Sequence, residues 1–210
     1  MKTVLIDYGA GNLHSVYKAL EKVGMNPLLT PDPRVAEDAD ALILPGQGHF
    51  RQVMEAFRAS GFEPVVREHI ANHKPFLGIC VGLQLLMDYS EEAPKIEGLG
   101  IIKGGVRRFP EGKDSVPQMG WNSLNNVGNP PLLEGLKEGS FVYYANSYYV
   151  TFQEDLPGAS TYYGGVTFKA AVSKGALNAT QFHPEKSQSV GLQVLTNFKR
   201  IAQEACGTLA

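Results

Sequence analysis

Three short stretches carry residue types able to perform nucleophilic chemistry. In Gly78-Ile79-Cys80-Val81-Gly82 a cysteine stands between two glycines, where an apolar run of strand type gives way to a helical pattern. A nucleophile flanked in this way at a strand-to-helix junction implies a sharp, strained turn, because bulkier neighbours clash where the chain doubles back. Such a turn exposes the side chain beside a helix N-terminus, where unpaired N–H groups and the helix dipole favour the thiolate. It also offers the Val81 N–H to a developing oxyanion. The competing reading of Cys80 is a small buried hydrophobe, the usual state of a free cysteine.

The second stretch is Thr-Gln-Phe-His-Pro-Glu-Lys-Ser at 180–187. His183 and Glu185 are two apart, so in extended backbone both side chains leave one face, about 6.6 Å apart along the strand. A carboxylate holding one imidazole nitrogen leaves the other as a general base, which a thiol nucleophile requires. Pro184 fixes its own φ and biases His183 away from helix, predicting a strand end rather than a helical turn. The plain alternative is a surface histidine with an exposed acidic neighbour. The third stretch, Leu44 to Phe50, places Gly46 and Gly48 at a strand's carboxyl end, in a turn whose N–H groups can supply a second oxyanion donor. Tyr8 to Ser15 resembles the start of a dinucleotide fingerprint, but His14 stands at the third glycine position, and a turn with packing explains it better.

These stretches need a scaffold, and the pattern around them supplies one. Residues 3–7, 26–30 and 41–45 read as apolar strands, and 15–23 as a helix stopped at Gly24. Phe50, Val53, Met54 and Phe57 recur at helical spacing. A further helix over 64–71 leads into the strand before Cys80. Short, doubly apolar strands alternating with helices predict an α/β fold with a mostly parallel central sheet and helices on both faces. Ligands then bind beyond the strands' carboxyl ends. From Lys103 onward aromatic and β-branched runs predict an added antiparallel portion in the C-terminal half, before a last helix over 189–205 that buries Val194, Phe198, Ile201 and Ala202. The expectation is one domain over 1–210.

The 210 residues carry 19 basic and 21 acidic side chains, a net charge of −2, so nothing favours nucleic acid or an anionic membrane as partner. No apolar run approaches the roughly 20 residues of a membrane span, and the opening Met-Lys-Thr-Val-Leu-Ile-Asp has no leader pattern, which predicts a cytoplasmic protein. Cys80 and Cys206 are far apart, and no cysteine and histidine stand at ligand spacing, so no metal and no cofactor is expected. His14, His49, His69 and His73 carry no chemical signal. Lys103, Arg107, Arg108 and Lys113 read as a solvated loop.

The motifs Gly-Ile-Cys-Val-Gly-Leu-Gln-Leu-Leu, Thr-Gln-Phe-His-Pro-Glu-Lys-Ser and Leu-Pro-Gly-Gln-Gly-His-Phe together resemble the triad-type glutamine amidotransferases. The opening Asp7 to Val16, Pro117 to Asn122 and Asn146 to Tyr149 are similar to the glutaminase subunits of imidazole glycerol phosphate synthase. The resemblance implies a class I, flavodoxin-like fold with Cys80 as nucleophile, His183 as base and acid, and Glu185 as orienting carboxylate. It implies an oxyanion hole at Val81 and Gly48, and a glutamine pocket including Gly46, Gln84, Ser147 and Tyr148. It also implies a (β/α)₈ cyclase partner in a heterodimer, docked near Asn12 and Trp121, that would receive ammonia and make imidazole glycerol phosphate and AICAR in histidine biosynthesis. Gln47 and Asn146 depart from the family pattern, where valine and histidine are common. The features span Gly46 to Glu185, which leaves no room for an acceptor site in the same chain. The alternatives are a glutaminase subunit for anthranilate or aminodeoxychorismate synthesis and a non-catalytic flavodoxin-like binding module.

Overall fold

The computed structural model describes residues 1–112 and 114–207. In chain order the elements are β1 (Thr3–Ile6), α1 (Leu13–Lys22), β2 (Leu28–Thr30), α2 (Pro33–Ala36), β3 (Ala41–Gly46), α3 (Phe50–Ala59), α4 (Phe62–Ala71), β4 (Phe76–Cys80) and α5 (Val81–Leu85). The second half adds β5 (Tyr89–Ser90), β6 (Gly104–Arg108), β7 (Gln118–Ser123), β8 (Phe141–Asn146), β9 (Tyr148–Phe152), β10 (Gly158–Tyr163), β11 (Val166–Lys174), β12 (Leu177–Thr180) and α6 (Gln188–Ala205).

A seven-stranded sheet runs in the order β10-β11-β12-β4-β3-β1-β2. Its pairs from β12 through β4, β3 and β1 to β2 are parallel, while β10, β11 and β12 pair antiparallel. The chain steps one way along the sheet from β1 to β2 and the other way from β3 to β4. Right-handed crossovers therefore put α1 on one face and the α3–α4 pair on the other. Covered on both sides, β1, β3, β4 and β12 are buried along their whole length. The α/β reading thus holds, antiparallel addition included. A three-stranded sheet, β5-β6-β9, and a β7–β8 ribbon complete the second half.

Helical spacing found the core faces. Phe50, Val53, Met54 and Phe57 of α3 are all buried, as are Val194, Phe198 and Ala202 of α6. Ile201 departs from expectation by packing only at the edge of that core. Two helices start earlier than their apolar periodicity suggests. Asn12 caps α1, its side chain accepting the Ser15 N–H, and Pro64 fits inside the first turn of α4, where no intrahelical N–H is needed. The basic cluster departs from the expected loop. Arg107 and Arg108 lie in β6 rather than in a loop, Lys103 pairs with Asp88 at 2.8 Å just before it, and Lys113 lies outside the described residues. The Gly-rich composition concealed a strand whose Gly104 and Gly105 leave space for the neighbouring Thr151 carbonyl and Tyr89 ring.

His69 on α4 is buried, and its Nε2 lies 2.9 Å from the Pro75 carbonyl, donating when the ring is neutral with that nitrogen protonated. Burial pushes its pKa down to about 4 from 6.5, against the Pro75 bond that favours the charged ring. The unfolded chain therefore takes up a proton near 6.5 that the folded chain refuses until about 4, so stability falls as pH drops through that window. Thermal melts of wild type and His69→Gln between these pH values should show a flatter dependence for the variant; parallel dependences would refute the assignment.

Candidate active site

β4 ends at Cys80 and α5 begins at the next residue, so the chain reverses on Cys80 itself, at φ 53° and ψ −108°. A side chain in this region is strained by roughly 1–3 kcal/mol. The flanking glycines make the turn possible. A Cβ on Gly82 would sit 2.0 Å from the Leu44 carbonyl oxygen of β3, and one on Gly78 would press at 3.1 Å on the Gly82 carbonyl. Gly46, the register partner of Cys80, is equally constrained, since its Cβ would fall 2.7 Å from the Gly82 nitrogen and 2.8 Å from the Val81 Cβ. The 46–48 turn is thereby pressed against the start of α5, next to the Val81 amide. Gly48 in that turn has φ 121°, which favours glycine. Because α5 spans five residues, what it offers is local N–H groups rather than a long dipole.

β12 lies parallel to β4, pairing Thr180 with Ile79, so the chain leaving β12 passes beside Cys80. His183 follows three residues later, its N–H bonded to the Tyr143 carbonyl at 2.9 Å and its own carbonyl accepting the Ser187 hydroxyl at 2.7 Å. The Pro184–Lys186 segment is a 3₁₀ turn, not a strand end: proline suits the first helical position, where its missing N–H costs nothing. His183 itself remains extended. The turn brings Glu185 Oε1 to 2.8 Å from His183 Nδ1, with both side chains buried. Burial disfavours a charged ring, but Cys80 as thiolate and Glu185 outweigh it and raise the His183 pKa well above its ordinary value. The second ring nitrogen, Nε2, is buried with no hydrogen-bond partner among the described residues, and the influence of Cys80 on the ring favours its charged form.

The elbow does not expose its sulfur. Cys80 is only 2% accessible, contrary to the expectation from the turn. β3 and β12 flank it on either side, and the Gln181 side-chain NH₂ donates to Sγ at 3.7 Å. A cavity of about 10 Å³, lined by residues that include Asn12, Gly46, Gln47, His183 and Glu185, lies beside the pair. That volume suits one water, far below the several hundred Å³ of a typical small-molecule site. A groove of about 410 Å³ lined by His14, Lys18, Lys22, Gln188 and others meets this region only through Glu185.

The other anticipated residues divide between two places. Gln84 is buried, donating at 3.3 Å to the Tyr148 carbonyl and at 3.3 Å to Gln181 Oε1, which sets Tyr148 and the preceding Ser147 beside the nucleophile's helix. Asn146, one of the departures, donates to the same Tyr148 carbonyl at 2.9 Å. Asn12 faces the His183–Glu185 pair, whereas Trp121 lies on the outer face of the β7–β8 ribbon, opposite Tyr143. Sequence reasoning passed over Gln181 and Glu92. Glu92 accepts the Phe50 N–H at 2.7 Å, and its charge, after burial, raises the Tyr148 phenol. Neither residue stands at a spacing that signals chemistry; only the fold reveals them. Among the described residues no group of three or more His, Cys, Asp or Glu side chains is placed to hold a metal ion, and no helix is long and apolar enough to cross a membrane. A thiol, an imidazole and a carboxylate in this arrangement can carry out acyl transfer through a covalent thioester.

The family model for glutamine amidotransferase class-I matches residues 4–201. The chain is similar to imidazole glycerol phosphate synthase subunit HisH of Deinococcus radiodurans, 52% identical with 95% of this chain and 93% of the relative covered. It is 50% identical to a subunit HisH of Thermus thermophilus, covering 95% and 98%, and 46% identical to that of Aquifex aeolicus, covering 97% and 99%. Among solved structures, one described as glutamine amidotransferase superimposes with a TM-score of 0.72 at 19% identity, covering 96% of this chain and 99% of the other. PurLQS from Thermotoga maritima gives 0.71 at 18% identity, with 97% of each covered; at such identities the likeness concerns the fold alone. The elbow and its facing histidine thus lie within a match that runs nearly end to end, and the chain belongs to the class-I glutamine amidotransferase family.

Proposed function

We propose that this chain is the glutaminase subunit of an imidazole glycerol phosphate synthase, hydrolysing L-glutamine to glutamate and ammonia for a cyclase partner in histidine biosynthesis. The observation that carries the reading is the convergence of Cys80, His183 and Glu185, remote in sequence, inside a chain about half identical to HisH subunits along its length.

In this reading the Cys80 thiolate attacks the carboxamide carbon of glutamine, and the oxygen gathers negative charge against the Val81 N–H and an N–H of the 46–48 turn, with Gly48 its pivot. His183 gives its proton to the departing nitrogen, ammonia leaves, and a γ-glutamyl thioester remains. Water then loses a proton to His183 and attacks the thioester, and glutamate departs as the C–S bond breaks, restoring the thiolate beside the protonated ring. Glu185 holds the ring's tautomer and stabilises its charged form. Gly46, Gln84, Ser147 and Tyr148 line the glutamine pocket. Free ammonia in neutral water is mostly protonated and a poor nucleophile, which favours direct transfer to a partner.

The partner is a (β/α)₈ cyclase, and the outer face of the β7–β8 ribbon supports a docking role. Met119 is 66% exposed, Phe141 57% and Trp121 45%, an apolar stripe on one face of two paired strands. Asn12, which lines the small cavity beside the His183–Glu185 pair, belongs to the same proposed interface. Control by population shift fits this reading: the 46–48 turn reorients to complete the oxyanion hole when the partner binds its own ligand.

Cys80→Ala should abolish glutamate release while leaving the melting curve and cyclase binding intact; residual turnover near the wild-type rate would remove the reading. Glutamate release should be lowest for the chain alone and rise with cyclase plus its nucleotide ligand, whereas equal rates would exclude the turn as a control. Trp121→Ala should weaken cyclase association by about 30-fold in calorimetry, as truncation of a central aromatic anchor does. An unchanged Kd would place the interface elsewhere.

A further inference from the structure

Gln181 is fully buried, yet every polar atom of its side chain is directed at the site. It follows β12 directly, and its backbone N–H is fixed to the Ala170 carbonyl of β11 at 2.8 Å. From there the side-chain NH₂ donates to Cys80 Sγ at 3.7 Å, and Oε1 accepts from Gln84 Nε2 at 3.3 Å. This orientation of the amide is the one that satisfies both neighbours, since Gln84 presents a donor here and a thiolate accepts. Gln84 Nε2 gives its remaining hydrogen to the Tyr148 carbonyl, so only its Oε1 is left to meet a ligand, and only as an acceptor.

We propose that Gln181 is a positioning residue that ties the sulfur of Cys80 to the side chain of Gln84, so that the nucleophile and the residue facing glutamine are oriented by one amide. The inference rests on the functional reading above. A buried N–H aimed at sulfur favours the anionic nucleophile and restricts its rotamer, because a charge-assisted hydrogen bond is stronger than a neutral one. The same amide fixes which end of Gln84 turns to the substrate. Packing alone would be met by an apolar side chain of equal length, and burying an amide without such partners is costly.

The test uses the full chain with its cyclase and the volume-matched variant Gln181→Met. Alkylation of Cys80 by iodoacetamide at pH 7, mapped by peptide mass to separate it from Cys206, should slow about 10-fold, the scale of one lost hydrogen bond to a charged group. The kcat for glutamate release should fall similarly. In a double-mutant cycle with Gln84→Met, the KM effects of the two changes should be less than additive. A role in packing alone predicts the reverse, a loosened and faster-reacting sulfur with independent KM effects, and that result would overturn the proposal. Should Gln181→Met not fold, the wild-type side-chain NH₂ resonances of Gln181 decide: they should move on Cys80→Ala substitution, and an absence of movement refutes the contact. If Cys80→Ala itself retains turnover, the functional reading has failed. If it is dead while Gln181→Met behaves as wild type, only this proposal has.

Discussion

The structure depends on one tight approach, that of the backbone at Gly82 to the carbonyl of Leu44 in the neighbouring strand. No side chain fits in that gap, and because none is present the chain can leave β4, reverse on Cys80 at positive φ and enter α5 without a break in the sheet. The strain of a non-glycine residue at φ 53° is sustained by strands on both sides, whose pairing fixes the residues before the turn. Gly46 repeats the arrangement from the opposite strand, so the turn after β3 and the first amide of α5 share one small space. A rigid frame around a strained residue keeps a reactive atom in one place, which is the general condition for precise nucleophilic chemistry.

Parallel pairing explains how residues a hundred positions apart come together. Once β12 docks beside β4 in register, residue 181 must lie level with Cys80, and residue 183 just beyond the strand ends. The bond of the His183 N–H to Tyr143, and of its carbonyl to Ser187, then sets the imidazole independently of its side-chain partners. Electrostatics act on this fixed geometry. Burial alone would keep His183 neutral, but its two acidic neighbours, Cys80 and Glu185, overcome it. The site is therefore held ready by backbone and charged by context, with the sulfur still shielded from solvent.

Much of this was legible in the sequence because it rests on local rules. Glycines around a cysteine report steric crowding, and apolar residues at helical or doubly buried spacing report faces of the core, which is why the parallel sheet and the α3 stripe could be read directly. What escaped depends on partners that no local pattern names. Pro184 is compatible with both a strand end and the first residue of a 3₁₀ turn, and the choice is made by Ser187 and β8. The elbow signals strain but not accessibility, since the side chain that meets the sulfur, Gln181, comes from about a hundred residues away. Gln181 itself reads as one more strand residue within its motif. Glu92 stands beside Glu91 in a polar stretch indistinguishable from solvated surface, and Arg107 and Arg108 stand in a Gly-rich segment whose glycines serve close strand contacts rather than a loop.

The central claim is that a single sulfur, that of Cys80, forms the covalent bond to the glutamine carbonyl. The most direct measurement is intact-mass and peptide mapping after treatment with a glutamine analogue carrying an electrophile in place of the carboxamide. One adduct is expected, on the peptide containing Cys80, appearing in proportion to the loss of glutamate release and prevented by glutamine. Complete inactivation with Cys80 unmodified, or an adduct confined to Cys206, would contradict it.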